Sequence, residues 1–143
     1  MLELIPLGTA VVDVAPSLSV GAGPAGGRSV GHLTSVTIEG ERLKATLASP
    51  AAADWMVLNG AVGMIDVRMT VRTDDGAVIH ITYGGRLNLA DRENGLIAYV
   101  APVFETGDER YAWLNAVQAV GKGRLTVGEG GATRIDYEFY QVR

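Results

Sequence analysis

A chain of 143 residues without cysteine can bury a hydrophobic core unaided, and it excludes both a disulfide scaffold and thiolate chemistry. Its net charge is -4 and its Lys and Arg are scattered, so neither nucleic acid nor an anionic membrane is an expected partner. Abundant Gly, Val, Ile and Thr with little helical periodicity point to an all-β chain, expected to form one domain over residues 1–143.

In chain order, the opening M-L-E-L-I-P-L-G has no basic residue and is broken by Pro6 and Gly8. No signal peptide is expected from it, no apolar run is long enough to span a bilayer, and a cytoplasmic location is the expectation. Leu2 to Val14 predicts one strand or two short ones, ended by Pro16. Gly21, Gly23 and Gly26 satisfy the spacing of a dinucleotide-binding loop. That motif needs a helix to follow, however, and Pro24 and the strand-like sequence after it argue instead for a flexible loop at a barrel mouth. Leu33 to Ser49 reads as a hairpin turning at Glu39-Gly40-Glu41, with Leu43, Ala45 and Leu47 on one face and Arg42, Lys44 and Thr46 on the other. Ser49 to Leu58 is a loop or single turn entering a strand, and Asn59-Gly60 turns the chain again.

Met64 to Tyr83 is the most strongly patterned stretch. Ile65, Val67, Met69 and Val71 alternate with Asp66, Arg68, Thr70 and Arg72, the period of two that sends side chains to opposite faces of a strand. Asp74-Asp75-Gly76 suits a three-residue turn ending in a left-handed glycine. Thr73 then opposes Ala77, Val71 opposes Ile79, Met69 opposes Ile81 and Val67 opposes Tyr83, while Thr70 meets His80 and Arg68 meets Thr82. Asp66, Arg68, Thr70, His80 and Thr82 thereby share one polar face.

After Gly84-Gly85 and a polar loop, Leu96 to Phe104 is apolar on both faces, so a helix or a second subunit should cover it from outside. Thr106 and Glu109 match a capping box for a short helix near residues 107–118, with Tyr111, Leu114 and Val117 on its buried face and Gly121 and Gly123 ending it. The last strand sets Ile135, Tyr137 and Phe139 inward. The sum is an antiparallel β-barrel of about 8–10 strands with one short helix.

Three groups of residues are similar to a known family. Ala53-Asp54-Trp55, then Arg68 leading to Thr73-Asp74-Asp75-Gly76-Ala77, then Phe104-Glu105-Thr106-Gly107-Asp108 with Tyr111-Ala112-Trp113-Leu114-Asn115 and Gly121-x-Gly123, resemble the family called domain of unknown function 3237. Thr34-Ser35 stands where that family usually has two glycines. The resemblance implies a small antiparallel barrel, often oligomeric, and an association of some fungal members with ring closure of aromatic polyketides without a redox cofactor.

The polar hairpin face is either the lining of a cavity or a solvated outer wall. The resemblance and the doubly apolar strand favour the cavity, with Arg68 holding an anion, Asp66 or His80 moving a proton, and Thr70 and Thr82 binding ligand. Asp54 beside Trp55 is a candidate general acid whose pKa burial would raise. Trp55, Tyr99 and Trp113 are candidate apolar walls and Asn115 a candidate ligand contact. His32 and His80 are isolated, so no metal is expected. No nucleophile motif is present either. The resemblance thus implies a cofactor-independent cyclase or isomerase acting by acid-base chemistry on a small apolar, aromatic or polyketide-like ligand. A non-catalytic ligand-binding barrel and a structural oligomeric barrel are the alternatives, and a homodimer or larger assembly is expected from the doubly apolar strand.

Overall fold

The computed structural model describes residues 1–143. Alternating apolar positions set most of the chain in strands: β1 (Leu4–Val14), β2 (Leu18–Gly23), β3 (Gly26–Glu39), β4 (Lys44–Leu47), β5 (Ala53–Asn59), β6 (Val62–Thr73), β7 (Val78–Asn88), β8 (Leu96–Val100), β9 (Val103–Glu105), β10 (Ala119–Val127) and β11 (Thr133–Val142). Eight of them close into an antiparallel ring in the order β6, β5, β3, β1, β11, β10, β8, β7 and back to β6, so the expected barrel is the fold. The remaining three patch its rim. β4 sits between β3 and β6, β9 continues β8 along β7 after a break at Ala101-Pro102, and β2 lies on β3.

The hairpin β6–β7 has the register its turn chemistry predicts: Thr70 faces His80, Arg68 faces Thr82 and Val67 faces Tyr83, with Gly76 at φ 95°. Its aliphatic face, however, is the inner one. Val71 and Ile79 are 0% exposed and merge with Val12, Leu33, Val36 and Leu114 into one core. The polar face is therefore the outer wall, which corrects the expectation that it lines a cavity. The reason is that eight aliphatic faces must meet inside a narrow barrel, and the outward residues of β8 are left uncovered: Tyr99 is 59% exposed.

The turn of this hairpin is fastened to the short helix. Thr73 Oγ1 accepts from the Ala77 amide (2.7 Å) and donates to Asp75 Oδ1 (2.6 Å). Tyr111 also donates to that carboxylate (2.8 Å), and Arg110 donates to the Asp75 carbonyl (3.0 Å). These hydrogen bonds, with Arg110 nearby, hold the Asp75 carboxyl below its ordinary range. Its contribution to stability is present above pH 3.8 and lost as pH falls through the lower folded value. Thr73→Val keeps the shape but strands the Ala77 amide in a buried turn. Urea unfolding should show a loss of about 1–3 kcal/mol.

The helix spans Glu109–Ala116 and is of the 3-10 type. Tyr111, Leu114 and Val117, all buried, recur every three residues, which is the 3-10 period rather than the α period. The capping box does not form. Asp108 caps instead, accepting from the Arg110 amide (2.9 Å), while Thr106 Oγ1 accepts from the Asp108 amide and donates to the Val78 carbonyl (2.8 Å). Three glycine-rich stretches also differ from expectation. Gly21 to Gly31 forms the β2–β3 hairpin, not a loop; Gly84-Gly85 lies within β7; and Gly121 and Gly123 lie within β10. At Thr34-Ser35 the register of β3 on β1 slips, Asp13 facing Ser35 and Val14 facing Leu33. No helix is long and apolar enough to cross a membrane.

Candidate functional site

The inward face of β5 carries a carboxylate where neighbouring strands carry aliphatics. Asp54 faces Val67 of β6, but the ladder between these strands then opens and resumes at Val57 and Met64. In that register Trp55 and Asp66 would face each other, and both find other partners. The Asp66 amide donates to Asp54 Oδ1 (3.0 Å), and the Trp55 carbonyl accepts from Arg28 Nη1 (2.7 Å). A backbone donor thus fixes one carboxylate oxygen, and the rest of the group faces the barrel interior.

There Asp54 borders a cavity with about 80 Å3 open to the centres of water molecules, whose other polar lining groups are Ser17, Ser29, Thr133 and Tyr137. Its apolar lining includes Met56, Ile65, Leu87 and Leu125. The space suffices for several waters or the reacting end of a small ligand. A second void, at the end closed by the 3-10 helix, is about 20 Å3 and lined only by apolar residues and glycine, among them Leu7, Met69 and Phe104. Of these two enclosed voids only the first is bordered by polar groups.

Burial pushes the Asp54 carboxyl up from 3.8 to about 6; the Asp66 amide opposes this and the Asp66 charge adds to it. Burial likewise pushes Tyr137 up to about 12 and Tyr83 well above its ordinary value, with the negative charge of Asp54 contributing to both. The rings of Tyr83 and Tyr137 meet edge to face at 5.8 Å, and Tyr137 stacks on Phe139 at 5.1 Å. At neutral pH the site thus holds a carboxyl that populates both charge states beside phenols that remain proton donors.

Of the candidate site residues named from the sequence, only Asp54 borders this cavity. Trp55 points to the outer wall, where the Arg68 guanidinium lies 5.3 Å from its ring centre. Asp66 and Arg68 form a loose exposed pair (3.9 Å), Thr70 Oγ1 and His80 Nδ1 share a hydrogen bond (3.2 Å), and Thr82 is half-buried on the same outer face. Tyr99 is exposed between Arg86 and Lys122. Trp113 lies at the opposite end under Arg42 (4.4 Å). Asn115 clamps the Thr106 backbone, accepting from its amide (2.8 Å) and donating to its carbonyl (2.9 Å). These placements correct the expectation of an Arg68-centred cavity. Arg68→Ala should leave the unfolding midpoint essentially unchanged in thermal melts, because its pair with Asp66 is exposed. Tyr83, Tyr137 and Ser29 were not among the expected site residues. For Tyr83 and Tyr137 the signal is a hydroxyl at an inward position of an apolar strand, where a buried polar tip needs a partner; Ser29, in a glycine-rich stretch, carries no such signal. No cluster of three His, Asp or Glu side chains is placed to hold a metal ion.

The model of the family described as "Protein of unknown function (DUF3237)" matches residues 2–142. The hydroalkoxylation enzyme of Penicillium herquei is 35% identical over 89 residues, which cover 62% of this chain and 52% of that enzyme, so the match spans about half the length of that relative. Among solved structures, a β-barrel-like protein from Acinetobacter baumannii AYE is 29% identical with a TM-score of 0.87, covering 100% of this chain and 97% of its own. An enzyme from Penicillium herquei has the same fold at 24% identity and a TM-score of 0.71, covering 100% of this chain and 94% of its own.

Proposed function

This chain belongs to the DUF3237 family, and we propose that it is a cofactor-independent enzyme of the cyclase or isomerase kind, acting in the cytoplasm on a small aromatic or polyketide-like molecule held in the barrel mouth. The observation that carries this reading is Asp54, a carboxyl with a pKa raised to about 6 on the wall of a partly apolar cavity. A general acid is most effective when its pKa lies near the working pH, because both proton delivery and proton return are then accessible. The Penicillium relative is named for hydroalkoxylation, the addition of an O–H across a carbon–carbon double bond. That reaction suits the site, since it needs only one proton in and one proton out.

In this mechanism, protonated Asp54 gives its proton to one alkene carbon while a hydroxyl oxygen of the substrate bonds to the other. The hydroxyl proton returns to the carboxylate, directly or through a water in the cavity, so no atom is lost and no redox partner is required. Tyr137 and Ser29 line the same space and serve as hydrogen-bond donors to the substrate oxygen, and the apolar wall holds the hydrocarbon part. The test is ring closure of a phenol bearing a pendant alkene in deuterated water. The expected product carries one deuterium on the carbon that Asp54 protonates. Binding in the cavity without turnover of any such substrate would make the protein a carrier instead.

A further inference from the structure

The outer wall across β8, β10, β11 and β1 carries two rows of side chains in continuous register. Ile97, Arg124, Asp136 and Val11 form one row; Tyr99, Lys122, Glu138 and Thr9 form the other. Lys122 and Arg124 thus make a basic column on β10 directly beside the acidic column of Asp136 and Glu138 on β11. Neither cation has an ion-pair partner within the chain. Arg124 donates to the Asn94 carbonyl (2.9 Å), Asp136 is paired with Arg134 (3.1 Å), and Glu138 accepts from the Tyr140 hydroxyl (3.1 Å). A shallow groove lies over these rows, lined among others by Val11, Ile97 and the four charged residues.

We propose that a second copy of this chain packs on this wall about a twofold axis running parallel to the strands, between β10 and β11. Such an axis carries each position on β10 onto its cross-strand neighbour on β11 in the other copy. Lys122 then meets Glu138 of the partner subunit and Arg124 meets Asp136 of the partner subunit, with both contacts repeated by symmetry. The flanks are complementary too: Ile97 falls on Val11 of the partner subunit, and Val120, which faces Tyr140 within the chain, falls on Tyr140 of the partner subunit. The face is self-complementary because its columns carry opposite charge at equal register. That property selects a second copy over an unrelated partner. The arrangement also covers the outward residues of β8, including Tyr99 at 59% exposure. Burial of these flanks supplies affinity, and the four ion pairs set register and orientation.

Charge-swap variants test this directly, by sedimentation and light scattering at moderate salt. The wild type should have twice the mass of the 15.0 kDa chain. A variant with Lys122→Glu and Arg124→Glu presents two acidic columns, and one with Asp136→Lys and Glu138→Lys presents two basic ones. Each alone should be monomeric, with self-association weakened at least about tenfold, and their mixture should restore a dimer. Circular dichroism checks that each variant is folded. Lys122→Glu combined with Glu138→Lys in one chain preserves every pairing and should remain dimeric should either of the first two fail to fold. A monomeric wild type overturns the proposal, as does a dimer indifferent to all the swaps.

Discussion

Asp54→Asn is expected to abolish turnover and at the same time make the protein more stable at neutral pH. The loss follows from removing the proton that the proposed reaction uses, and acid-base groups of this kind contribute about 10²–10⁴-fold in rate. The gain follows from linkage. The folded carboxyl titrates at about 6 and the unfolded one at 3.8, so between these values the folded state keeps a proton that the unfolded state has released. Unfolding then releases protons. The stability conferred by the neutral carboxyl is fully present below pH 3.8 and is lost as pH rises through about 6. The interval corresponds to at most about 3 kcal/mol, reduced in practice by local relaxation and water to about 1–3 kcal/mol. Asparagine is neutral throughout and keeps an oxygen for the Asp66 amide. Urea unfolding of the two proteins should therefore diverge as pH rises from 4 to 7, with the variant above, and converge below pH 3.8. The wild-type rate profile should carry a limb at about pH 6. Retained turnover would remove Asp54 from the mechanism, and equal stabilities at pH 7 would remove its raised pKa.

Adding a single methyl group at position 123 should be among the most damaging changes outside the cavity. A Cβ there would lie 2.5 Å from Tyr137 Cε1 and 2.7 Å from Ile135 Cγ2. The ring cannot retreat, because Phe139 stacks on it and Tyr83 abuts it. Gly→Ala in a strand would ordinarily gain roughly 0.5–1 kcal/mol from reduced chain freedom. Overpacking of this severity costs about 1–3 kcal/mol, so destabilisation wins. Thermal unfolding of Gly123→Ala should fall by roughly 3–10 °C. The near-ultraviolet tyrosine signal should change with it, and turnover should drop as the Tyr137 hydroxyl is displaced. An unchanged melting temperature would mean that the ring has room to move.

Much of the fold was legible because its rules are local. Turn chemistry at Asp74-Asp75-Gly76 and the period of two set the register of β6 on β7, and the inward Ile135, Tyr137 and Phe139 followed from alternation in the same way. Alternation groups residues by face, but it does not say which face is inside. The doubly apolar Leu96 to Phe104 segment predicts a covered outside, whereas within the chain the outward side of that segment is open to solvent. Asp54 was legible as a carboxylate expected to be buried. Its neighbours were not, since Tyr83 and Tyr137 are far apart in sequence and meet only when the ring of strands closes. Gly121 and Gly123 read as a helix stop, yet their function is to leave space for two rings on the adjacent strand. Such a requirement resides in the partner strand and leaves no mark on the local sequence. The motifs that carry the family resemblance around Thr73, Asp75, Asp108 and Tyr111 turn out to be fastenings of the closed end, remote from the cavity.

The opening in the ladder between β5 and β6 gives the barrel a built-in indicator. Because the Asp66 amide is bonded to a titrating oxygen of Asp54 rather than to a carbonyl, its proton resonance should move downfield as that carboxyl ionises, tracing a curve with its midpoint at about pH 6. Ligand entry beside Asp54 would shift the midpoint of the same curve. One backbone nitrogen, observed in a labelled sample, would therefore report on occupancy and protonation of the cavity without recourse to turnover.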